Sequence, residues 1–210
     1  GWMMWNWLTS SLAVGSTVIL YDGSPFYPDG TTLLKMAEEL EVNIFGTSAK
    51  YISALEMENI HPNQISKFPN LKCILSTGSP LVDENYDFVY EKWKKDVQLS
   101  SISGGTDIIS CFALGNPMLP VNKGELQCRG LGMKVESFDD EGNSLCDQKG
   151  ELVCTKAFPS MPIYFWNDEN NKKYNEAYFQ KFTGVWHHGD YVSISKSGGV
   201  KIFGRSDTTL

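Results

Sequence analysis

Long apolar runs are missing from this chain. No stretch reaches the roughly 18 residues that a membrane-spanning helix needs, so none is expected. Positive charge is in short supply: 18 Lys and Arg stand against 25 Asp and Glu, for a net charge of −7. A nucleic-acid binder would carry a basic stripe, and the balance argues against that class. It does not argue against a nucleotide, because phosphate can be held by backbone N–H groups with one or two cations. Histidine is scarce, at three residues, and the five cysteines contain no CxxC pair. Cys73, Cys111, Cys128, Cys146 and Cys154 are scattered and odd in number. That fits a reducing compartment and buried thiols better than disulfides or zinc. No basic start precedes an apolar core, so no signal peptide is expected, and a cytosolic location follows. There is no internal repeat and no low-complexity tract.

What is present is an ordinary globular balance. The 210 residues are 41% hydrophobic and 20% charged, enough for a sizeable core or two small lobes. Gly1 to Val14 is dense in Trp and Met, and helical spacing puts Trp2, Trp5 and Leu8 or Leu12 on one face. This segment reads as buried helix, though its wide side chains could also wall a pocket. Ser16 to Tyr21 reads as a buried strand, closed by the turn Asp22-Gly23-Ser24-Pro25. Asp29 to Thr32 starts a helix with Leu33, Leu34, Ala37 and Leu40 on its apolar face. Strands are expected at Val42–Phe45, Leu71–Leu75 and Asp96–Ile102, with helices at Ala49–Met57 and Asp83–Lys95. Strands alternating with helices on short links mean βαβ units and a mainly parallel sheet flanked by helices. After Pro120 the texture changes to short strands rich in Gly and turn signals, a small antiparallel β subdomain. Asp168 to Phe182 reads as an inserted helix. Val185 to Ile194, interrupted at Gly189-Asp190, and Val200 to Phe203 read as a hairpin. The expected division is 1–120, 121–203 and a short exit, 204–210.

Ligands in an open α/β sheet bind beyond the carboxyl ends of the strands. Three such exits carry small polar loops: Gly46 to Ser48, Ser76 to Pro80, and Ser101 to Asp107. The last is the richest. Gly104 and Gly105 permit close approach or φ > 0, and Thr106 and Asp107 offer a hydroxyl and a hard oxygen ligand. Taken alone, it reads more readily as a plain strand exit. His187 and His188 lack a third partner and read as strand residues rather than a metal site. Asp190 and Arg205, from the two strands of the final hairpin, read either as a cross-strand ion pair or as ribose and phosphate ligands.

The ordered set Gly78-Ser79-Pro80, Gly104-Gly105-Thr106-Asp107, Gly150-Glu151-Leu152, Gly189-Asp190 and Gly204-Arg205-Ser206-Asp207 resembles the adenylate-forming acyl-CoA synthetases. The resemblance runs over the whole chain, including GWMMWNWL, LYDGSPFYPDG, FGTSAKYI, PSMPIYFWND and GVWHHGDYV. It implies a partial adenylate-forming enzyme fold and an AMP-forming ligase, with ATP, CoA and acetoacetate as small-molecule substrates and Mg²⁺ as cofactor. It also implies residue roles. Gly78, Ser79 and Pro80 would line the adenine. Ser101, Ile102, Ser103, Gly104, Gly105 and Thr106 would form the other side of the nucleotide site, with Thr106 near the α-phosphate. Asp107 stands where most relatives have Glu and would be the Mg²⁺ ligand, directly or through water. Asp190 would take the ribose, with Arg205 adjoining. Asp207 would be the hinge to a further domain, and Ser48 would lie near the CoA pantetheine. Trp2, Met3, Met4 and Thr77 would wall the acyl pocket. Relatives that take acetate have Trp where Gly104 stands, so glycine there leaves room for a longer acid. The family's Lys-containing phosphate loop and its C-terminal domain are not among these residues, so the chain reads as a fragment with little turnover of its own. Two other readings stand beside this one: a sister synthetase for another short or branched acid, and a non-catalytic nucleotide-binding module.

Overall fold

The computed structural model describes residues 2–208, apart from the side chains of residues 2–7. The chain opens with helix α1 (Trp2–Ala13). It then divides into two compact units, whose boundary cuts the SSISGGTD stretch between Ile102 and Ser103.

The parallel unit comprises residues 7–102 and 115–124. It holds α2 (Thr32–Glu39), β1 (Ile44–Ser48), α3 (Ala49–Met57), α4 (Pro62–Ile65), β2 (Cys73–Thr77), α5 (Asp83–Phe88) and β3 (Gln98–Ser101). The strands form one parallel sheet in the order β1-β2-β3. Ser48 lies beside Thr77, and Ser76 beside Ser101, so the carboxyl ends share one edge. α3 is placed by its first residues: the Ser48 hydroxyl caps it by accepting the Tyr51 amide at 3.1 Å, a contact worth about 1 kcal/mol. α5 runs on into a π-helical turn, Val89–Trp93. Leu34, Ile52, Leu55, Ile74, Val89 and Leu99 are fully buried in a single core. Each such side chain contributes about 1.5–3 kcal/mol. The half-exposed Lys123–Asp87 pair at 2.6 Å adds at most about 1 kcal/mol, so the core sets the fold.

The antiparallel unit comprises residues 1–6, 103–114 and 125–210. Strands β4 (Ser103–Gly105), β5 (Ser110–Leu114) and β6 (Cys128–Arg129) make a three-stranded sheet. A second sheet is built from β7 (Val135–Phe138), β8 (Ser144–Leu145), β9 (Gly150–Cys154), β10 (Trp186–Ile194) and β11 (Val200–Arg205), in the order β11-β10-β9-β7-β8. Helix α6 (Lys172–Tyr178) lies between β9 and β10 in sequence. Phe112, Phe158, Tyr174 and Trp186 pack edge to face in its core.

Several expectations shift. Ser16 to Tyr21 is not a strand: it pairs with no strand among the described residues, and Leu20 stays 73% exposed. A run of β-branched residues needs a neighbouring edge to become a strand. The inserted helix shrinks to α6 because Asn170 and Asn171 take left-handed conformations before it. Its start is capped by the Asp168 carboxylate, which accepts the Lys173 and Tyr174 amides at 2.9 Å. Gly46 to Ser48 is the end of β1 rather than a loop. Ser103 to Gly105 is likewise strand, the first arm of a hairpin with β5.

Candidate functional site

At the carboxyl edge of the parallel sheet, Thr77 donates its hydroxyl to the Ile102 carbonyl at 3.2 Å, while the Ile102 amide donates to the Ser76 carbonyl at 2.9 Å. Gly78 follows with φ +90 and open space where a side chain would stand. That backbone geometry favours glycine whatever the room available. Ser79 is half-buried, and Gly78 and Pro80 are exposed. Ser48 and Ser101 end their strands on the same edge. Trp2, Met3 and Met4, expected to wall the acyl pocket, fall in α1, where the side chains lie outside the described residues.

The antiparallel unit assembles a denser group. Between β10 and β9 the register jumps, from His187 beside Val153 to Tyr191 beside Glu151. His188, Gly189 and Asp190 therefore bulge out of the ladder, a device that re-aims side chains. On the other flank, Asp190 sits directly opposite Arg205 in the β10–β11 ladder. Arg205 Nη1 lies 3.7 Å from Asp190 Oδ1, and His188 Nε2 lies 3.7 Å from Asp190 Oδ2. Neither contact is a hydrogen bond at that distance. The Asp190 side chain is only 11% exposed. Burial pushes its carboxyl up to about 6, against the opposing pull of Arg205. Burial pushes His188 the other way, down to about 4, aided by Arg205 and His187. At neutral pH the imidazole is uncharged and the carboxylate ionised.

Arg205 holds a second carboxylate more tightly. Its Nε donates to Asp207 Oδ1 at 2.8 Å, and its Nη2 donates to Asp207 Oδ2. Gly105 packs against the His188 ring, with Phe112 edge-on to the same ring at 4.6 Å. Asp107 is exposed in the turn after β4 and accepts a hydrogen bond from the Tyr178 hydroxyl. The Tyr178 ring stacks on Trp186 with centroids 3.6 Å apart. Thr106 is exposed beside it.

The structure thus brings Ser103 to Asp107, Asp190, Arg205 and Asp207 into one unit. It sets Ser48, Thr77, Gly78, Ser79, Pro80, Ser101 and Ile102 on one edge of the other. Tyr178, His188 and Glu151 join the first group without having been singled out as site residues. The aromatic spacing of α6, the paired histidines set aside as strand residues, and the GEL motif were their signals. Among the described residues, no three His, Cys, Asp or Glu side chains cluster as a metal site. One Asp107 oxygen beyond its Tyr178 bond still suits Mg²⁺, which uses one or two carboxylates and keeps water and substrate phosphates for the rest.

No protein-family profile matches the chain. It is 56% identical over 210 residues to an acetoacetyl-coenzyme A synthetase from Rhizobium meliloti, covering 100% of this chain and 32% of that protein. An acetoacetyl-CoA synthetase from Gallus gallus is 53% identical over 211 residues, covering 100% of this chain and again 32% of the relative. The chain therefore spans about a third of the length of the curated relatives it matches. Among solved structures, the acetoacetyl-CoA synthetase from Streptomyces lividans superposes with a TM-score of 0.92 at 44% identity, covering 100% of this chain and 33% of that one. An anthranilate CoA ligase bound to anthranoyl-AMP shares the fold alone, with a TM-score of 0.75 at 19% identity over 93% of this chain and 36% of that one. Over all its 210 residues, the chain is similar to about a third of these acetoacetyl-CoA synthetases.

Proposed function

We propose that the protein containing this chain is an AMP-forming acetoacetate–CoA ligase. In the first step an oxygen of the acid attacks the α-phosphorus of ATP, giving the acyl-adenylate and releasing pyrophosphate. In the second the CoA sulfur attacks the acyl carbonyl, the thiol proton is lost, and AMP leaves. The single observation behind this reading is the bulged Asp190, buried and set opposite Arg205 in a chain otherwise alike to acetoacetyl-CoA synthetases.

A buried carboxylate whose nearest cation stands 3.7 Å off, beyond hydrogen-bond reach, is costly as an anion. Two ribose hydroxyls would donate to it and restore the lost solvation, the arrangement a nucleoside needs. Arg205, held on its Nε edge by Asp207, keeps Nη1 for ribose or phosphate. Ser103, Gly104, Gly105 and Thr106 carry backbone and the Thr106 hydroxyl toward the α-phosphate. Gly78, Ser79 and Pro80 serve the adenine, with Ser101 and Ile102 at their edge. Mg²⁺, when bound, would neutralise phosphate charge as pyrophosphate departs, and Asp107 is the residue to hold it. By the family resemblance, Trp2, Met3, Met4, Thr77 and Gly104 are assigned to the acid, Ser48 to CoA, and Asp207 to the hinge.

The test is acetoacetate- and CoA-dependent AMP formation by the full-length protein, compared with Asp190→Ala. Wild-type formation that falls at least about a hundredfold in the variant supports the reading. Equal rates would sink it.

A further inference from the structure

Glu151 has no part in the chemistry above, yet three side chains converge on its carboxylate. It lies in β9, whose residues are all buried. Its side chain is 7% exposed. An anion there survives only if its oxygens are fully engaged. Oε1 accepts from Lys181 Nζ at 2.7 Å. Oε2 takes His187 Nε2 at 2.9 Å and the Ser206 hydroxyl at 2.6 Å. Lys181 is shared with Asp140 at 3.0 Å. Burial alone would raise the Glu151 carboxyl, but the bonds from Lys181, Ser206 and His187 hold it below its ordinary value.

The Ser206 bond differs from the other two. Lys181 supplies charge and His187 a ring nitrogen, whereas Ser206 supplies position. It belongs to the turn that follows β11, between Arg205 and Asp207. The Ser206 amide also donates to the Gly189 carbonyl at 2.8 Å. Gly189 has φ +78, and a Cβ there would lie 2.8 Å from Asp207 Oδ2 and 3.0 Å from Arg205 Nη2. The turn thus lies flat on the β10 bulge, and Ser206 fastens it on two sides.

We propose that Glu151 is a positioning residue that anchors the Arg205–Asp207 turn through the Ser206 hydroxyl and so aims the Arg205 guanidinium at Asp190. The inference rests on the reading of Arg205 and Asp190 as nucleotide ligands. It gives the GEL motif a physical role, in which a buried acid on one strand fixes the cation two strands away.

The experiment uses the full-length protein with Glu151→Gln, Ser206→Ala and the double variant. Amide hydrogen exchange is read at residue 206, with Val153 and Ile202 as controls in the surrounding ladder. Both single variants should speed exchange at residue 206 about tenfold, the loss of one charge-assisted hydrogen bond. The double variant should go no further, because both changes remove the same bond. The KM for ATP should rise by a similar factor while kcat stays within about twofold. Ser206→Ala, the milder change, keeps the test alive if Glu151→Gln folds poorly. Unchanged exchange at residue 206, or equal acceleration at Val153 and Ile202, would overturn the proposal. If the wild type shows no ATP dependence, the nucleotide reading falls, while the amide data still decide whether Glu151 anchors the turn.

Discussion

A Cβ placed on Gly105 would lie 2.5 Å from Cε1 of His188. The two residues are locked together: His188 is buried in the β10 bulge, with Phe112 on its ring and the Trp186 indole N–H directed at its Nδ1 at 3.5 Å. The ring has nowhere to withdraw, so the glycine is required by its neighbour rather than by its backbone angle. Gly105→Ala should cost about 1–3 kcal/mol of stability through overpacking. In a His188→Ala background the same change should cost less than about 1 kcal/mol. Urea midpoints of the four proteins measure this, and equal costs in both backgrounds would contradict the contact.

Asp190 and His188 are shifted in opposite directions, and this has a sign that can be checked. The folded Asp190 carboxyl, up at about 6, binds a proton more readily than in the unfolded chain, so its contribution to stability falls as pH rises from about 4 to about 6. The folded His188, down at about 4, does the reverse, and its contribution rises from about pH 4 to about 6.5. The two largely offset. Asp190→Asn removes one limb and leaves the other. Relative to wild type, it should gain about 2 kcal/mol between pH 4 and 7.5, the size of a shift of roughly two pKa units discounted for partial exposure. Denaturant unfolding across that range reads the difference directly, and a pH-independent difference would contradict the burial of Asp190. Nucleotide affinity should fall about tenfold from pH 7.5 to 5, as the carboxylate that accepts ribose hydroxyls becomes protonated.

The Tyr178 hydroxyl occupies one oxygen of Asp107. Tyr178→Phe keeps the ring on Trp186 and frees that oxygen, so stability should drop by no more than about 1 kcal/mol. If Asp107 holds Mg²⁺, the Mg²⁺ concentration for half-maximal ATP–pyrophosphate exchange in the full-length protein should shift severalfold, and Asp107→Asn should raise it further. Identical Mg²⁺ curves for all three proteins would remove Asp107 from the metal site.

The alternation of strands and helices before residue 102 was legible because each element carries its own period and stop. The final hairpin was legible for the same reason. The pairing of Asp190 with Arg205 followed from two strands joined by a Ser-Gly-Gly turn. What escaped depends on partners far away in sequence. Ser16 to Tyr21 has a strand's composition, but only a neighbouring edge could make it one. Gly105 looked like a loop glycine, and its reason is a histidine 83 positions later, set by a two-residue register jump. Glu151 looked like one letter of a motif, and its role emerges only when Lys181, His187 and Ser206 converge on it.

The central claim is the activation of acetoacetate. The measurement that tests it most directly is acid-dependent ATP–pyrophosphate exchange by the full-length protein, comparing acetoacetate, acetate, butyrate and 3-hydroxybutyrate, in wild type and Gly104→Trp. Exchange should be strongest with acetoacetate, and the variant should shift preference toward acetate by about tenfold or more, as a ring fills the pocket. Strongest exchange with another acid would move the assignment to a sister ligase, and no exchange with any acid, in folded protein, would contradict the account.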